Sequence, residues 1–290
     1  AALYAMRAVK ELGIPLKKNV RLILGTDEEC GSSDIRHYYS IEKEAPMTFS
    51  PDAEYPLVNT EKGRFPGHFT AGFEASDALP RLVSIKAGTK VNVVPGKAKA
   101  AVEGFEMAAL EKAAAETKEE TGISFEFAAE GTVTEITATG IGAHASTPDV
   151  GNNALTGLLV FLGKLDFASC PQVDMVRKTA SLFPHGDVNG KTLGVAMEDE
   201  LSGNLTLSFN MLSVDAASMD GEFDGRIPVC GNDENVLEVV RARMAEQGLT
   251  LLNKALIPPH HVSADSYFVK TLLAAFELYT GRKGECQALG

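Results

Sequence analysis

Cysteine is scarce and scattered: four residues, Cys30, Cys170, Cys230 and Cys286, lie far apart with no paired spacing. That excludes a disulfide-stapled scaffold, and 290 residues bury enough surface to fold without staples, so reduced thiols in a cytoplasm are expected. Long apolar runs are also missing. The longest stretch, Leu155 to Leu162, is too short to span a bilayer, and nothing at the start resembles a signal peptide. Basic residues are outnumbered, 27 Lys and Arg against 39 Asp and Glu, giving a net charge of -12 and a pI near 5.0. Such a chain is repelled by nucleic acid and by anionic membranes, so neither is expected as a partner, whereas a small substrate remains open. There is no glycine-rich phosphate loop with a lysine. The serines and cysteines have no histidine and acid close by in sequence, although such groups need only meet in space.

With 44% apolar and 23% charged residues, the chain reads as a soluble globular protein of one large or two modest domains. The opening segment alternates a helix over 1–12, a strand over 20–26, a helix over about 32–40 and strands over 47–51 and 56–61, the pattern of an α/β layer with a parallel sheet. From Phe65 the pattern changes. Strands at 81–86 and 91–103, the amphipathic segment Glu106 to Glu120 closed by Gly122, and a strand from Ile123 form one unit. Strands at 204–214 and 222–229, a helix over 233–247 and a strand over 249–256 repeat that order, which suggests two similar halves. After Pro258-Pro259, Asp265 to Tyr279 reads as a long helix ending at Gly281. The simplest arrangement is an α/β domain over 1–64 and 258–290 with an α+β domain inserted at 65–257. Both ends read as cut: the first helix pattern has no N-cap, and the last strand-like run stops abruptly.

Acids collect where the first strands end. Asp27-Glu28-Glu29 follows the run from Val20 to Thr26, and Asp52 stands in Ser50-Pro51-Asp52-Ala53-Glu54. Ligands of parallel sheets bind beyond the carboxyl ends of strands, and neighbouring carboxylates repel unless a cation gathers them, so Glu28, Glu29 and Asp52 invite a divalent metal. The alternative is that such acids cap the next helix or solvate a loop. His144 stands among small residues in Gly140-Ile141-Gly142-Ala143-His144-Ala145-Ser146, a loop that can expose one polar side chain on a rigid frame. Asn92 interrupts an apolar strand, where its amide needs a structural partner or a ligand. Arg226 either pairs with Asp224 or offers a forked clamp to a carboxylate. The adjacent pair His260-His261 reads as structural, since neighbouring residues of a strand point apart.

Four ordered motifs, Gly25-Thr26-Asp27-Glu28-Glu29, Phe49-Ser50-Pro51-Asp52-Ala53-Glu54, Val91-Asn92-Val93-Val94-Pro95 and Gly142-Ala143-His144-Ala145-Ser146, together resemble the aminoacylase/carboxypeptidase family of co-catalytic zinc peptidases, and within it the bacterial dipeptidases. The resemblance implies metal-dependent hydrolysis of dipeptides, with Glu28 as general base and Glu29 and Asp52 as ligands of two zinc ions, manganese or cobalt being possible substitutes. It also implies that His144 donates to the oxyanion and that Asn92 and Arg226 hold the substrate. The inserted domain would be a lid whose duplicated halves let a monomer imitate what relatives achieve by dimerising. The family's remaining ligands lie before the first helix and after a glycine stretch of which Gly290 would be the start, so the chain by itself is expected to be inactive or very weakly active. An N-acyl amino acid deacylase of the same family, a non-catalytic binding protein without metals, and a zinc-free glycosidase with paired carboxylates remain the alternatives.

Overall fold

The computed structural model describes residues 1–28 and 31–290. In chain order its helices and strands are α1 (Ala2–Glu11), α2 (Ser33–Ile41), β1 (Leu57–Glu61), β2 (Gly63–Gly72), β3 (Arg81–Ala87), β4 (Val93–Val94), β5 (Lys97–Glu103), α3 (Met107–Thr121), β6 (Ser124–Glu130), β7 (Val133–Thr139) and β8 (Ala143–His144). There follow α4 (Ala154–Gly163), α5 (Pro171–Leu182), β9 (Glu198–Asp199), β10 (Gly203–Asn204), β11 (Thr206–Val214), β12 (Ser218–Ile227), a π turn (Asp233–Leu237) leading into α6 (Glu238–Glu246), β13 (Thr250–Leu251), β14 (His260–His261), α7 (Tyr267–Thr280) and β15 (Cys286–Leu289). The chain is thus a mixed α/β protein with one large sheet. It divides into two units: Ala1–Leu57 with Asp265–Glu285, and Val58–Ala264 with Cys286–Gly290.

The first unit holds α1, α2 and α7. Residues 20–25 and 47–50, which the apolar pattern assigns to strands, are irregular, and among the described residues no strand precedes Leu57. The reason is pairing. A strand satisfies its N–H and C=O groups only through neighbours, and an apolar run without another strand beside it has no ladder to join. The helices follow their sequence signals more closely. Ser266 caps α7 by accepting from the Val269 N–H at 3.2 Å, and Gly281 closes it in the left-handed conformation that favours glycine.

The second unit is built on an eight-stranded sheet in the order β13-β2-β12-β11-β3-β5-β7-β6, with every ladder antiparallel. The order is symmetric about the seam between β11 and β3. Moving outward, β11-β12-β2-β13 faces β3-β5-β7-β6, and in each half two strands, a helix and a further strand follow in chain order. The third position differs: β7 fills it on one side, and β2, from much earlier in the chain, on the other.

Helices pack on this sheet because alternate residues of its strands are apolar and buried. Along β2, Gly63, Phe65, Gly67, Phe69 and Ala71 are buried while Arg64 and Pro66 are exposed. The mostly apolar stretch from Ala154 forms α4, which lies against β5, β7 and β11 and between α3 and α5, burying eight of its ten residues. Phe69, Phe183, Phe209 and Phe223 form the aromatic centre, with Phe183 and Phe209 stacked at 4.4 Å. Two rings cross the β2–β12 ladder onto glycines. Phe223 lies opposite Gly67 and Phe69 opposite Gly221, where an added Cβ would come within 2.0 Å and 2.4 Å of the respective ring.

Candidate active site

In the first unit, two aspartates pin the loop that carries Glu28. The carboxylate of Asp27 accepts from the backbone N–H of Ser33 at 2.7 Å and from the Ser33 hydroxyl, at the first residue of α2. Those two bonds hold the Asp27 carboxyl below its ordinary value, the hydroxyl contributing most. In return Asp34, in the first turn of α2, accepts from the Thr26 N–H at 2.5 Å and also from its own helix at Ile35. Gly25 lets the Asp34 carboxylate come close, since a Cβ there would sit 2.9 Å from its oxygen. Asp27 is therefore a helix-anchoring residue. Asp34 escaped the sequence reading, although an acid in the first turn of a helix is itself a signal.

Glu28 and Asp52 are both exposed, and among the described residues neither carboxylate has a hydrogen-bond or ion-pair partner. They are thus uncommitted groups, Glu28 on a tethered loop. Glu29 lies outside the described residues. Among the described residues no three His, Cys, Asp or Glu side chains converge on a point where a metal could sit. A zinc ion takes about four ligands, so the described carboxylates do not by themselves fit a two-zinc centre.

Asn92 and His144 belong to the second unit, and the fold brings them side by side. β4 and β8 pair antiparallel, with Val93 opposite His144 and Val94 opposite Ala143, and the Ala145 N–H donates to the Asn92 carbonyl at 3.0 Å. Both side chains are exposed. The imidazole is oriented from behind: the Ser146 backbone N–H donates to His144 Nδ1 at 3.2 Å, with the Ser146 hydroxyl 2.7 Å away. A backbone N–H can only donate, so Nδ1 is an acceptor and the proton of the neutral ring belongs on Nε2. The outward nitrogen of His144 is therefore a hydrogen-bond donor.

Arg226, on β12 of the same unit, is only 8% exposed. Its Nε donates to Asp224 Oδ1 at 2.6 Å and its Nη2 to Oδ2 at 3.3 Å, so the ion pair weighed from the sequence is present and occupies one edge of the fork. Lys62 feels the Arg226 charge as well. Burial pushes its ammonium below the usual value, Asp199 acting to raise it and Arg226 to lower it further, while Nζ donates to the Asn204 carbonyl at 2.6 Å. His260 and His261 form β14 against β1, and His261 Nδ1 lies 2.9 Å from the Thr60 hydroxyl, in keeping with a structural role. A cavity of about 400 Å³ between α4 and α5, lined by Leu159, Val173, Val176, Phe183 and His185, contains none of the expected residues.

Two curated relatives match the chain from end to end. Beta-Ala-Xaa dipeptidase of Lactobacillus delbrueckii subsp. lactis is 30% identical over 290 residues, and YtjP of Bacillus subtilis, provisionally named a dipeptidase, is 34% identical over 297 residues. The chain is similar to bacterial dipeptidases. It spans all of its own length but only 61–62% of these dipeptidases. A solved structure, aminoacylhistidine dipeptidase from Vibrio alginolyticus, matches with a TM-score of 0.45 and 12% identity over 91% of this chain and 59% of that one. No family model matches the chain. No helix among the described residues is long and apolar enough to cross a membrane.

Proposed function

We propose that the full-length protein hydrolyses dipeptides. The observation that carries this reading is the match of the whole chain to dipeptidases at 30% and 34% identity, and the geometry of His144 supports it. The unit carrying the two carboxylates belongs to the α/β catalytic domain, and the unit carrying the antiparallel sheet is an inserted lid with two similar halves. Glu29 and Asp52 are candidate ligands for two zinc ions, or for manganese or cobalt. A bound metal ion of this kind supplies a water whose pKa is lowered towards about 7.

The chain's own residues do the rest. Glu28, uncommitted and exposed, takes a proton from the attacking water and returns one to the leaving amine. His144 donates its Nε2 proton to the oxygen of the tetrahedral intermediate, a contribution of about 100-fold to 1,000-fold for a single donor of this type. Asn92 holds the substrate beside it. Arg226 reaches the terminal carboxylate with the edge of its guanidinium that Asp224 leaves over. The small peptide is the only partner, and the protein works as a monomer in the cytoplasm.

The test is Glu28→Gln and His144→Ala in the full-length protein. Each is expected to lower kcat for dipeptides by at least about 100-fold with the metal content of the parent. Retained turnover in Glu28→Gln sinks its assignment as base, and loss of metal in His144→Ala makes that residue a ligand. N-acyl amino acids in the same substrate panel separate a dipeptidase from a deacylase of the family.

A further inference from the structure

Asn210 is completely buried, and no sequence motif includes it. It is the extra residue of a β-bulge: β11 and β12 pair Phe209 with Phe223 and Met211 with Glu222, leaving Asn210 without a cross-strand partner. A bulge in the middle of a sheet weakens the ladder and frees one residue to reach elsewhere. Here it reaches the segment that carries Asn92. Asn210 Nδ2 donates to the Val91 carbonyl at 2.5 Å, and its Oδ1 accepts from the Ser208 hydroxyl at 2.5 Å. The Asn210 carbonyl also presses on Gly88, where a Cβ would lie 2.0 Å away and where φ is +77°, so the 88–91 turn is seated on the bulge from two sides.

The neighbouring residue of the bulge does a matching task. The Phe209 carbonyl accepts from Asn153 Nδ2 at 2.8 Å, and Asn153 caps α4 through its Oδ1. The Ala154 N–H next to it donates to the Pro95 carbonyl at 2.9 Å, beyond the other end of β4. The stretch from Val91 to Pro95 is therefore held at both ends by groups fixed on one irregularity of β11. Because β4 carries β8, whatever sets the height of Val91 also sets Asn92 and His144.

We infer that Asn210 is the positioning residue that fixes Asn92 and His144 as one substrate-facing unit. A buried amide at this place satisfies the carbonyl of Val91, and it does so one residue before the predicted substrate contact. Replacing it leaves the Val91 carbonyl unpaired and lets the β4–β8 ribbon move as a body. The inference rests on the dipeptidase reading for its effect on rate, but its effect on the ribbon is independent of that reading.

Two readouts in the full-length protein test it. The first is amide exchange at Ala145, whose N–H donates to Asn92. Asn210→Ala is expected to raise it at least about 10-fold, while Thr117→Ala, which removes another fully buried polar group of the same unit, leaves it unchanged. The second is dipeptide turnover. Asn210→Ala is expected to lower kcat at least about 10-fold in the parent but less than about 2-fold in an Asn92→Ala/His144→Ala background, because it acts through those two residues. Unchanged exchange at Ala145, or a loss of kcat that is fully additive, overturns the role. A parent that hydrolyses no dipeptide overturns the proposed function alone, and the exchange readout then decides the role of Asn210. Should Asn210→Ala not fold, Ser208→Ala removes the donor to Oδ1 more gently, and exchange at Ala145 must still rise about 3-fold or more.

Discussion

The two units treat apolar residues in opposite ways. In the unit of Ala1–Leu57 and Asp265–Glu285, α1 and α2 bury no residue and α7 buries Val269 alone, while Leu3, Leu12, Ile41, Phe49 and Tyr279 are exposed. In the other unit α4 buries eight of ten residues and the sheet supplies a continuous aromatic and aliphatic core. Both units have helices with an apolar stripe. What separates them is a surface for the stripe to lie on, and only a paired sheet provides one. Periodicity specifies that a helix forms, whereas stability comes from what covers it.

The largest test of this contrast is a pair of aromatic deletions. Phe223→Ala, at a ring with no exposure, is expected to cost about 3–5 kcal/mol of unfolding free energy, whereas Phe49→Ala, 61% exposed, is expected to cost less than about 1 kcal/mol. Urea titration followed by circular dichroism reads both, and equal losses would abolish the distinction. A smaller effect appears on acidification. Burial works against ionisation of Asp199, but the N–H groups of Ser202, Cys230 and Leu201 and the Ser202 hydroxyl outweigh it and hold the carboxyl at about 2, against an ordinary 3.8. A depressed folded-state value contributes stability that is complete above 3.8 and is lost as pH falls from there to about 2. The gap in urea midpoint between the parent and Asp199→Asn should therefore narrow between pH 5 and pH 2; a constant gap assigns the acid sensitivity elsewhere. The smallest effect belongs to the first unit, where Asp27→Ala removes the bonds to Ser33 and should appear as faster amide exchange at the start of α2 with the second unit unchanged.

The same contrast explains what the sequence disclosed. The strands around the seam of the large sheet, 81–87 and 206–214, and the helix closed by Gly122 follow local rules that their neighbours reinforce. The run at 20–26 has equally strong local character and yet is irregular, because pairing is a property of two strands and not of one. β2 fails in the other direction: Gly63-Arg64-Phe65-Pro66-Gly67 has poor strand propensity, and only its alternation of ring and glycine against β12 makes it a strand. Asn92 and His144 stood out because short ordered motifs surround them. Asn210 carries the signal that singled out Asn92, a polar residue in an apolar strand, but its partner is 119 positions away in the chain, a separation that no local pattern reveals.

The crossed rings of β2 and β12 have a consequence for how the sheet finds its alignment. These strands lie far apart in sequence, with no hairpin turn to set their offset, so the side chains must set it. A slip of one residue would turn the buried face to solvent. A slip of two would keep the faces but put ring against ring at Phe223 while glycine met glycine nearby, a collision beside a void. Phe223 over Gly67 and Phe69 over Gly221 thus act like a key cut on both edges, which admits a single setting of the two strands.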